Sequence, residues 1–330
     1  MLMHSRRNTL RYAIALAGLG LMGHPAEAVV QAFPSRPIRI IVPTAAGTPP
    51  DILSHFVATA VSESEGWQVV VEDRPGALQT IGMSDVLKRP ADGYSIFAMS
   101  LGVMATPALM PNLGVHLETD FAPVIKVSTS YNVLVVNPSV LAKSVSELVA
   151  ILKREPDKLT FSSAGFGTPS HLIAEMFKLQ AGIRATHVPY QQLPQAIGDL
   201  LAGTNQYMFV TMLPVIDLIN SGKLRALAVT GPQRVPAMKD VPTVVEEGFP
   251  KLVTEDFVGF AVKSGTPDHI VAVLNRGIDK ALADAKVRES FARLGAMPAG
   301  GTPAEYGDFI KSQVGIWNGV VRDSGIKLPQ

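Results

Sequence analysis

The sequence predicts an α/β protein with two lobes, each built around its own sheet. Short β-branched runs alternate with helical patterns of about 10 to 15 residues, which is typical of βα units around mainly parallel sheets. The alternation occurs in two separate series, and the roughly 302 residues that follow a predicted leader suit two domains of ordinary size. The last helical patterns have no strands of their own, so we expect the chain to cross back and pack them on the first sheet.

The first series starts with an apolar run at residues 38–42 that predicts a buried strand. It continues with helix 51–64, strand 68–72, helix 80–88 and strand 95–99. The second series is predicted as strand 133–136, helix 144–154, strand 159–162, helix 170–180, strand 185–188, helix 192–201 and strands 206–210 and 225–229. Strand 257–262 and three helices ending near residue 323 follow. We therefore expect residues 29–129 and 256–330 in the first lobe and residues 130–255 in the second, with hinges near residues 128–131 and 251–257.

The composition excludes several classes of function. The chain is 47% hydrophobic and 17% charged and contains no cysteine, so it has neither disulfides nor a thiol mechanism. Removal of a leader with three arginines and one glutamate would change the formal net charge from +1 to −1. A mature chain this close to neutral does not indicate nucleic acid as a partner.

The N-terminal segment predicts export. Arg6, Arg7 and Arg11 precede an apolar run over residues 12–22, and Ala26-Glu27-Ala28 is a small-x-small cleavage signal. The apolar run is too short to span a bilayer. We therefore expect residues 1–28 to be a cleaved signal peptide. A second cleavage site before Phe33 and a twin-arginine route both stay open.

The strongest local signal in the mature chain is a glycine-rich turn between a predicted strand and a predicted helix, at residues 161–171. Gly165 and Gly167 allow the backbone to point its amides toward one place, Thr168 suits the N-cap position, and Pro169 suits the first helical position. The first amides of a helix are unpaired and lie at the positive end of its dipole. This turn is therefore either an anion site or an ordinary capped turn.

A similar turn at residues 43–51 follows the first predicted strand. Pro49 and Pro50 remove two amide donors, so this turn is less able to hold an anion through its backbone. Thr44 and Thr48 offer hydroxyl groups instead. Asp51 is expected to stabilise the helix start rather than to touch an anionic ligand.

Other candidates for chemistry are weaker. His171 has no acidic or histidine partner at metal-binding spacing, and packing at the helix start is its favoured role. Arg74 stands beside two acids and is expected to form a structural ion pair. The sequence contains no nucleophile elbow, zinc-protease motif or phosphate-binding loop. An enzyme is therefore not expected, and neither a metal nor a cofactor is.

Several ordered segments resemble the Bug family, the periplasmic solute receptors of tripartite tricarboxylate transporters. The segments that carry the resemblance are Pro37–Pro43, Glu72–Gly76, Asp92–Tyr94, Asp120–Pro123, Ser163–Gly165, Gly167–Thr168, Ser170–Leu172 and Lys223–Ala228. The resemblance covers the whole mature chain. It implies a type II periplasmic-binding-protein fold, with two Rossmann-like lobes joined by a two-connection hinge. It also implies a periplasmic location, a small carboxylate ligand and two membrane subunits that receive it, and we expect the receptor to be a monomer.

In such receptors the ligand carboxylate is held by the turn after the first strand and by the Ser-Ala-Gly turn of the second lobe, partly through water. The corresponding ligand-binding residues here are Thr44, Ala46, Gly47, Thr48, Ser163, Ala164, Gly165, Phe166, Thr168, Ser170, Val210 and Thr211. Lobe closure over the ligand is the implied mechanism.

The chain departs from the family pattern at three places. Gly47-Thr48-Pro49-Pro50-Asp51 replaces the usual Gly-Gly-Gly-Thr-Asp, Val210 stands where the family often has an acid, and Gln191-Gln192 replaces a frequent Lys-Gly. An acid at position 210 would pair with a ligand ammonium. Its loss predicts a carboxylate without an amino group, with Phe166 and Val210 as apolar contacts, and an aromatic ligand is one possibility.

Two other functions stay open on the sequence. The same cleft would serve a periplasmic enzyme if His171 were a general base. The closed lobes could instead be presented to a sensor protein, and the sequence does not separate this role from transport.

Overall fold

The computed structural model describes residues 33–326 and Leu328. The predicted signal peptide at residues 1–28 and its alternative cleavage site before Phe33 lie outside the described residues. The described chain contains two sheets covered by helices.

The strands lie close to their predicted positions. In chain order they are β1 Ile38–Val42, β2 Val69–Asp73, β3 Ser95–Ser100, β4 Phe121–Ser130, β5 Asn132–Val136, β6 Thr160–Ser163, β7 Thr186–Pro189, β8 Tyr207–Thr211, β9 Arg225–Val229, β10 Asp256–Lys263 and β11 Ala296–Gly300. The helices are α1 Pro49–Glu65, α2 Thr80–Lys88, α3 Leu101–Leu109, α4 Leu117–Asp120, α5 Val145–Arg154, α6 Pro169–Ala181, α7 Leu193–Ala202, α8 Ile216–Asn220, α9 Asp268–Leu282, α10 Ala285–Arg293 and α11 Pro303–Ser324.

The first sheet has the strand order β11-β4-β10-β3-β1-β2. Strand β1 pairs in parallel with both β2 and β3, with Ile40 opposite Val71 on one side and Ile96 on the other. Ile38, Ile40 and Val42 alternate along β1 and enter the same apolar cluster as helices α1 and α9. The alternation of side chains along a strand therefore places one face of this sheet against those helices.

The second sheet has the order β7-β6-β8-β5-β9. Strand β6 is parallel to β7 and β8, whereas β5 is antiparallel to both β8 and β9. In the first sheet, β10 is likewise antiparallel to β3 and β4. The prediction of mainly parallel sheets is therefore wrong, because the strands by which the chain leaves and re-enters each sheet run against the βα units. We call the elements around the two sheets the first and second lobes.

The sequence pattern missed α3, β4 and β11. Helix α3 is apolar and buried around most of its surface and contains Pro107, so it has no helical stripe to detect. Strand β4 carries Pro123 and Lys126, and β11 carries Pro298, which weaken the strand pattern. Their positions depend on pairing partners that are distant in sequence.

The chain passes between the sheets at two adjacent places. Tyr131 separates β4 from β5, and residues 253–255 precede β10. Residues 128–130 belong to β4, so the first connection is shorter than the predicted hinge. The buried Thr230 joins the two connections: its hydroxyl donates to the carbonyl of Thr254 at 2.8 Å and accepts from the amide of Asn132 at 3.0 Å.

The C-terminal helices pack on the first lobe, as the sequence predicts, since α9 and α11 both contact β4. Helix α11 also contacts α6 of the second lobe. Within residues 33–326, no helix is both long and apolar enough to cross a membrane.

Candidate functional site

Two turns carry the predicted site, and each follows a strand that has a parallel neighbour. The first turn joins β1 to α1 and the second joins β6 to α6. Ligands of open α/β sheets bind beyond the carboxyl ends of the strands, which is where both turns lie.

The first turn is held by its own side chains. The amide of Gly47 donates to Asp51 Oδ2 at 2.8 Å, and Thr48 Oγ1 donates to the carbonyl of Ala45 at 2.7 Å. The hydroxyl oxygens of Thr44 and Thr48 are 2.7 Å apart. Asp51 therefore stabilises the turn, as expected from its place in the first helical turn.

Few backbone donors remain in this turn. Thr48 is the N-cap of α1, and Pro49 and Pro50 occupy the next two positions, where they have no N–H group. The exposed amides of Ala45 and Ala46 donate to no atom within the described part of the chain. The first turn can thus offer two loop amides to a ligand, but not an ordinary helix start, because the hydroxyl hydrogens of Thr44 and Thr48 are used within the turn.

Negative charge lies close to the first turn. The pKa of Asp73 is raised by burial and then by the neighbouring Asp51, while His55 and Arg74 lower it. His55 Nε2 is 3.2 Å from Asp51 Oδ1. Arg74 is bound by Glu72 at 2.8 Å, so it forms the expected structural ion pair.

The second turn is a denser network. Ser163 Oγ donates to the carbonyl of Gly165 at 3.1 Å and accepts from the Gly165 amide at 3.1 Å. The amide of Ala164 donates to Ser170 Oγ at 3.2 Å. Thr168 is the N-cap residue, but its hydroxyl donates to the carbonyl of Gly165 at 2.6 Å and not to a helix amide. Thr168 is thus the N-cap residue and Pro169 the first helical residue, as expected, without a side-chain cap.

Three amides of the second turn have no acceptor within the described residues. The amides of Phe166, Ser170 and His171 donate to no atom of the described residues. Two of them belong to the first turn of α6, a helix of 13 residues, and lie at the positive end of its dipole. This arrangement favours an anion.

The second turn also touches the first lobe. Gly167 has φ +71°, and a Cβ built there would lie 3.1 Å from Leu78 and 3.2 Å from Leu109. A Cβ at Gly102 of α3 would lie 3.0 Å from the carbonyl oxygen of Gly167. Only a residue without a side chain allows the two lobes to approach this closely here.

A stack of aromatic rings lies behind the second turn. The rings of His171 and His187 are 4.1 Å apart and nearly parallel, and Phe161 is 4.8 Å from His187. The edge of Phe166 meets both imidazoles, at 5.3 and 5.1 Å. Burial, followed by the charge of Lys178, lowers the pKa of His171 to about 4. Burial and then the neighbouring His171 lower the pKa of His187 to about 3.

Comparisons with known proteins show the family and the fold. The family model of the tripartite tricarboxylate transporter family receptor matches residues 53–326. The chain belongs to this receptor family. It is 34% identical to Protein BugT of Bordetella pertussis (strain Tohama I) over 317 residues, which cover 96% of each chain. The receptor is thus related to the Bug proteins along almost its whole length.

Solved structures of similar proteins show the same two-lobed fold. The periplasmic binding protein BugD is 31% identical, covers 89% of this receptor and 99% of its own chain, and has a TM-score of 0.77. An R. palustris protein solved with adipate is 30% identical, covers 89% and 99%, and has a TM-score of 0.79. MatC from Rhodopseudomonas palustris, solved with malate, is 27% identical, covers 88% and 100%, and has a TM-score of 0.76. The predicted periplasmic-binding-protein fold and the predicted family are confirmed.

The predicted site residues differ in how much of their surface is exposed. Ala46 and Gly47 are exposed, and Phe166 and Thr168 are half-buried. Val210 is 2% exposed and packs in the apolar core of the second lobe, so it presents no surface to a ligand in this structure. Thr211 is half-buried and pairs with Asn132 beside the connection at Tyr131.

The enzyme alternative requires a basic nitrogen on His171, and the receptor uses that nitrogen for structure. Nδ1 of His171 accepts the amide of Gly167 at 3.1 Å, and the residue is 2% exposed. Its favoured packing role agrees with this. Among the residues that the structure describes, no group of three or more histidine and acidic side chains could hold a metal ion.

Sequence reasoning missed His187 and the segment from Ala77 to Gln79. His187 lies on β7, where the sequence offered only a short strand, and its role depends on contacts across to β6 and α6. Ala77, Leu78 and Gln79 all have positive φ. None of the three is glycine, so no residue type signalled this conformation.

Proposed function

We propose that the protein is a periplasmic receptor that binds a small carboxylate between its two turns and delivers it to the membrane subunits of a tripartite transporter. The observation that carries the proposal is the set of free amides at Phe166, Ser170 and His171, in a turn that also touches the first lobe. A carboxylate at these amides would contact both lobes, which favours the closed state. The adipate and malate of the two solved relatives support this ligand class.

The ligand we propose has no amino group. Strand β8 ends with Val210 and Thr211, which offer no charge to an ammonium group. Asp51 is 6% exposed; its Oδ2 accepts the amide of Gly47, and its Oδ1 lies 3.2 Å from His55 Nε2 without a hydrogen bond in the described chain. An ammonium group at the end of β8 would therefore lose its water without gaining a carboxylate partner on that strand.

The proposed site also carries few positive charges. Neither residues 43–51 nor residues 162–171 contain a lysine or arginine. Free amides and hydroxyls can hold one carboxylate, whereas a tricarboxylate would need more compensation. Phe166 supplies an apolar surface next to the free amides, which suits an aliphatic or aromatic body on the ligand.

The proposal is tested by thermal unfolding of the mature protein with adipate, malate, benzoate, citrate and aspartate. A ligand at about 100 times its Kd adds about 2.7 kcal/mol to the free energy of unfolding, which raises Tm by several degrees. We expect adipate, malate or benzoate to raise Tm and aspartate to leave it unchanged. A shift with aspartate alone would contradict the ligand class, and no shift with any of the five would contradict the receptor function.

The site itself is tested by Ser170→Ala in the second turn. The variant loses the acceptor of the Ala164 amide and one hydroxyl near the free amides, so we expect Kd to rise about tenfold. Ser62→Ala in α1 is the matched control, because its hydroxyl donates only to the carbonyl of Ala58. If Ser170→Ala and Ser62→Ala bind the acid with equal affinity, the ligand does not bind at the second turn.

A further inference from the structure

The two stacked histidines behind the second turn both form hydrogen bonds with that turn. His171 lies in the first turn of α6, and His187 lies on β7. Each ring is bonded to a different part of the proposed ligand-binding turn. Their rings join that turn to the core of the second lobe, because Phe161 packs against His187.

His171 fixes the backbone at Gly167. Nδ1 accepts the Gly167 amide at 3.1 Å, so the lone pair points at the turn and the ring proton is on Nε2. Nε2 is 4.0 Å from Glu175 Oε1. A proton on Nε2 is favoured there because it faces a carboxylate oxygen. Gly167 is the residue that meets Leu78 and Leu109 of the first lobe. The ring therefore sets the position of the turn at the point where the lobes meet.

His187 fixes the start of the same turn. Its Nε2 is 2.6 Å from Ser163 Oγ, and that hydroxyl also bonds both the amide and the carbonyl of Gly165. One hydroxyl thus connects the imidazole to both backbone groups of Gly165. The two imidazoles together hold the segment between Ser163 and Gly167, which contains the free amide of Phe166.

We propose that His171 and His187 are positioning residues of the ligand site: they hold the second turn in its binding conformation through the Gly167 amide and the Ser163 hydroxyl. The inference rests on the proposed function, since the turn concerned is the proposed carboxylate site. The same pair fixes Phe166, whose ring edge meets both imidazoles. Neither histidine touches the ligand in this account.

The arrangement requires a neutral His171. A proton on Nδ1 would place two N–H groups against each other where the ring now accepts the Gly167 amide. The titratable and charged groups around the ring are Glu175 and Lys178 on its own helix, His187 on β7 and Tyr207 on β8. Glu175 is bound by Lys178 at 2.8 Å, so the acid is already paired. Burial in this setting keeps both imidazoles uncharged well below neutral pH.

The first test compares affinity among four variants for whichever probe acid raises Tm. His171→Leu and His187→Leu keep the apolar bulk and remove the polar atoms. His171→Asn restores an acceptor near the Nδ1 position, and His187→Gln restores a polar atom near the Nε2 position. We expect Kd to rise about tenfold or more in the leucine variants and to return to within about threefold in the amide variants. His269→Asn, an exposed histidine at the start of α9, is the matched control.

The second test needs no ligand. Nitrogen NMR of the ligand-free protein reports the tautomer of each imidazole, and amide exchange reports Gly167. We expect the Nε2–H tautomer of His171 and a protected Gly167 amide in the natural protein and in His171→Asn, with faster exchange in His171→Leu. The Nδ1–H tautomer, or a Gly167 amide that exchanges alike in all three proteins, would overturn the inference. If no acid binds while these results appear, the proposed function fails and the positioning role stands.

Discussion

Helix α11 contacts the first sheet partly through an aromatic ring that lies over a glycine. Tyr306 is 2% exposed and lies over Gly259 of β10. A Cβ built at Gly259 would lie 2.6 Å from Cε2 of the tyrosine and closer still to Cζ and the hydroxyl oxygen. The methyl group of the Gly259→Ala variant would therefore overlap the ring of Tyr306, which is buried and must shift to make room.

The expected loss of stability follows from this overlap. Added volume in a packed core costs about 1–3 kcal/mol, and the lower chain entropy of alanine offsets about 0.4–1 kcal/mol. The hydroxyl of Tyr306 is buried and has no hydrogen-bond partner in the described chain. Since an unpaired buried polar group costs about 1–3 kcal/mol, we expect Tyr306→Phe to be as stable as the natural protein or more stable by about 1 kcal/mol. Tyr306→Phe should also recover part of the cost of Gly259→Ala.

The assay is urea unfolding followed by tryptophan fluorescence, because Trp317 is buried on α11 and reports that helix. Gly315→Ala on an open part of α11 is the control and should add about 1 kcal/mol through helix propensity. The reasoning is refuted if Gly259→Ala unfolds at the same urea concentration as the natural protein. A loss of stability in Tyr306→Phe would show instead that the hydroxyl has a partner.

Three further predictions concern stability. Gly277→Ala brings a Cβ 2.5 Å from the ring of Trp67 and should lower the free energy of unfolding by about 1–3 kcal/mol. Equal urea midpoints for this variant and the natural protein would contradict that expectation. Thr302→Ala removes the capping box with Glu305 and should lower the free energy of unfolding by about 1 kcal/mol; an unchanged Tm would contradict it. Burial raises the pKa of Asp256 from 3.8 to about 7, so its contribution to stability falls as pH rises through that interval. Asp256→Asn should therefore be more stable than the natural protein at about pH 8 and equal to it at about pH 4, by urea unfolding.

The position of the second turn could be read from the sequence, because local rules set it. Gly165 and Gly167 both have positive φ, and Pro169 is the first residue of α6. These features depend on residues a few positions apart, so glycine and proline identify them. The hydroxyl contacts of Thr168 and Ser170 could not be read in the same way, since a serine or threonine in a turn has several backbone partners within reach.

The surroundings of that turn depended on residues far apart in the chain. Leu78 reaches Gly167 across 89 positions, and His187 meets Ser163 across 24. The sequence placed Val210 near the ligand because it ends a strand beside the expected cleft. The structure buries it instead, because both faces of β8 are covered: Tyr207 and Phe209 lie in one apolar cluster, and Met208 and Val210 lie in another.

The sequence by itself determined the α/β class, the order of most strands and helices and the position of the two strand-to-helix turns, because each of these follows from residue type and short-range spacing. Its ordered motifs indicated the receptor family by resemblance. The tertiary structure alone decided the mixed direction of both sheets, the contact of α11 with both lobes and the imidazole pair that holds the second turn. Those features come from packing between distant segments, where burial and shape select the partner. The type of a single residue does not indicate which distant segment it will contact.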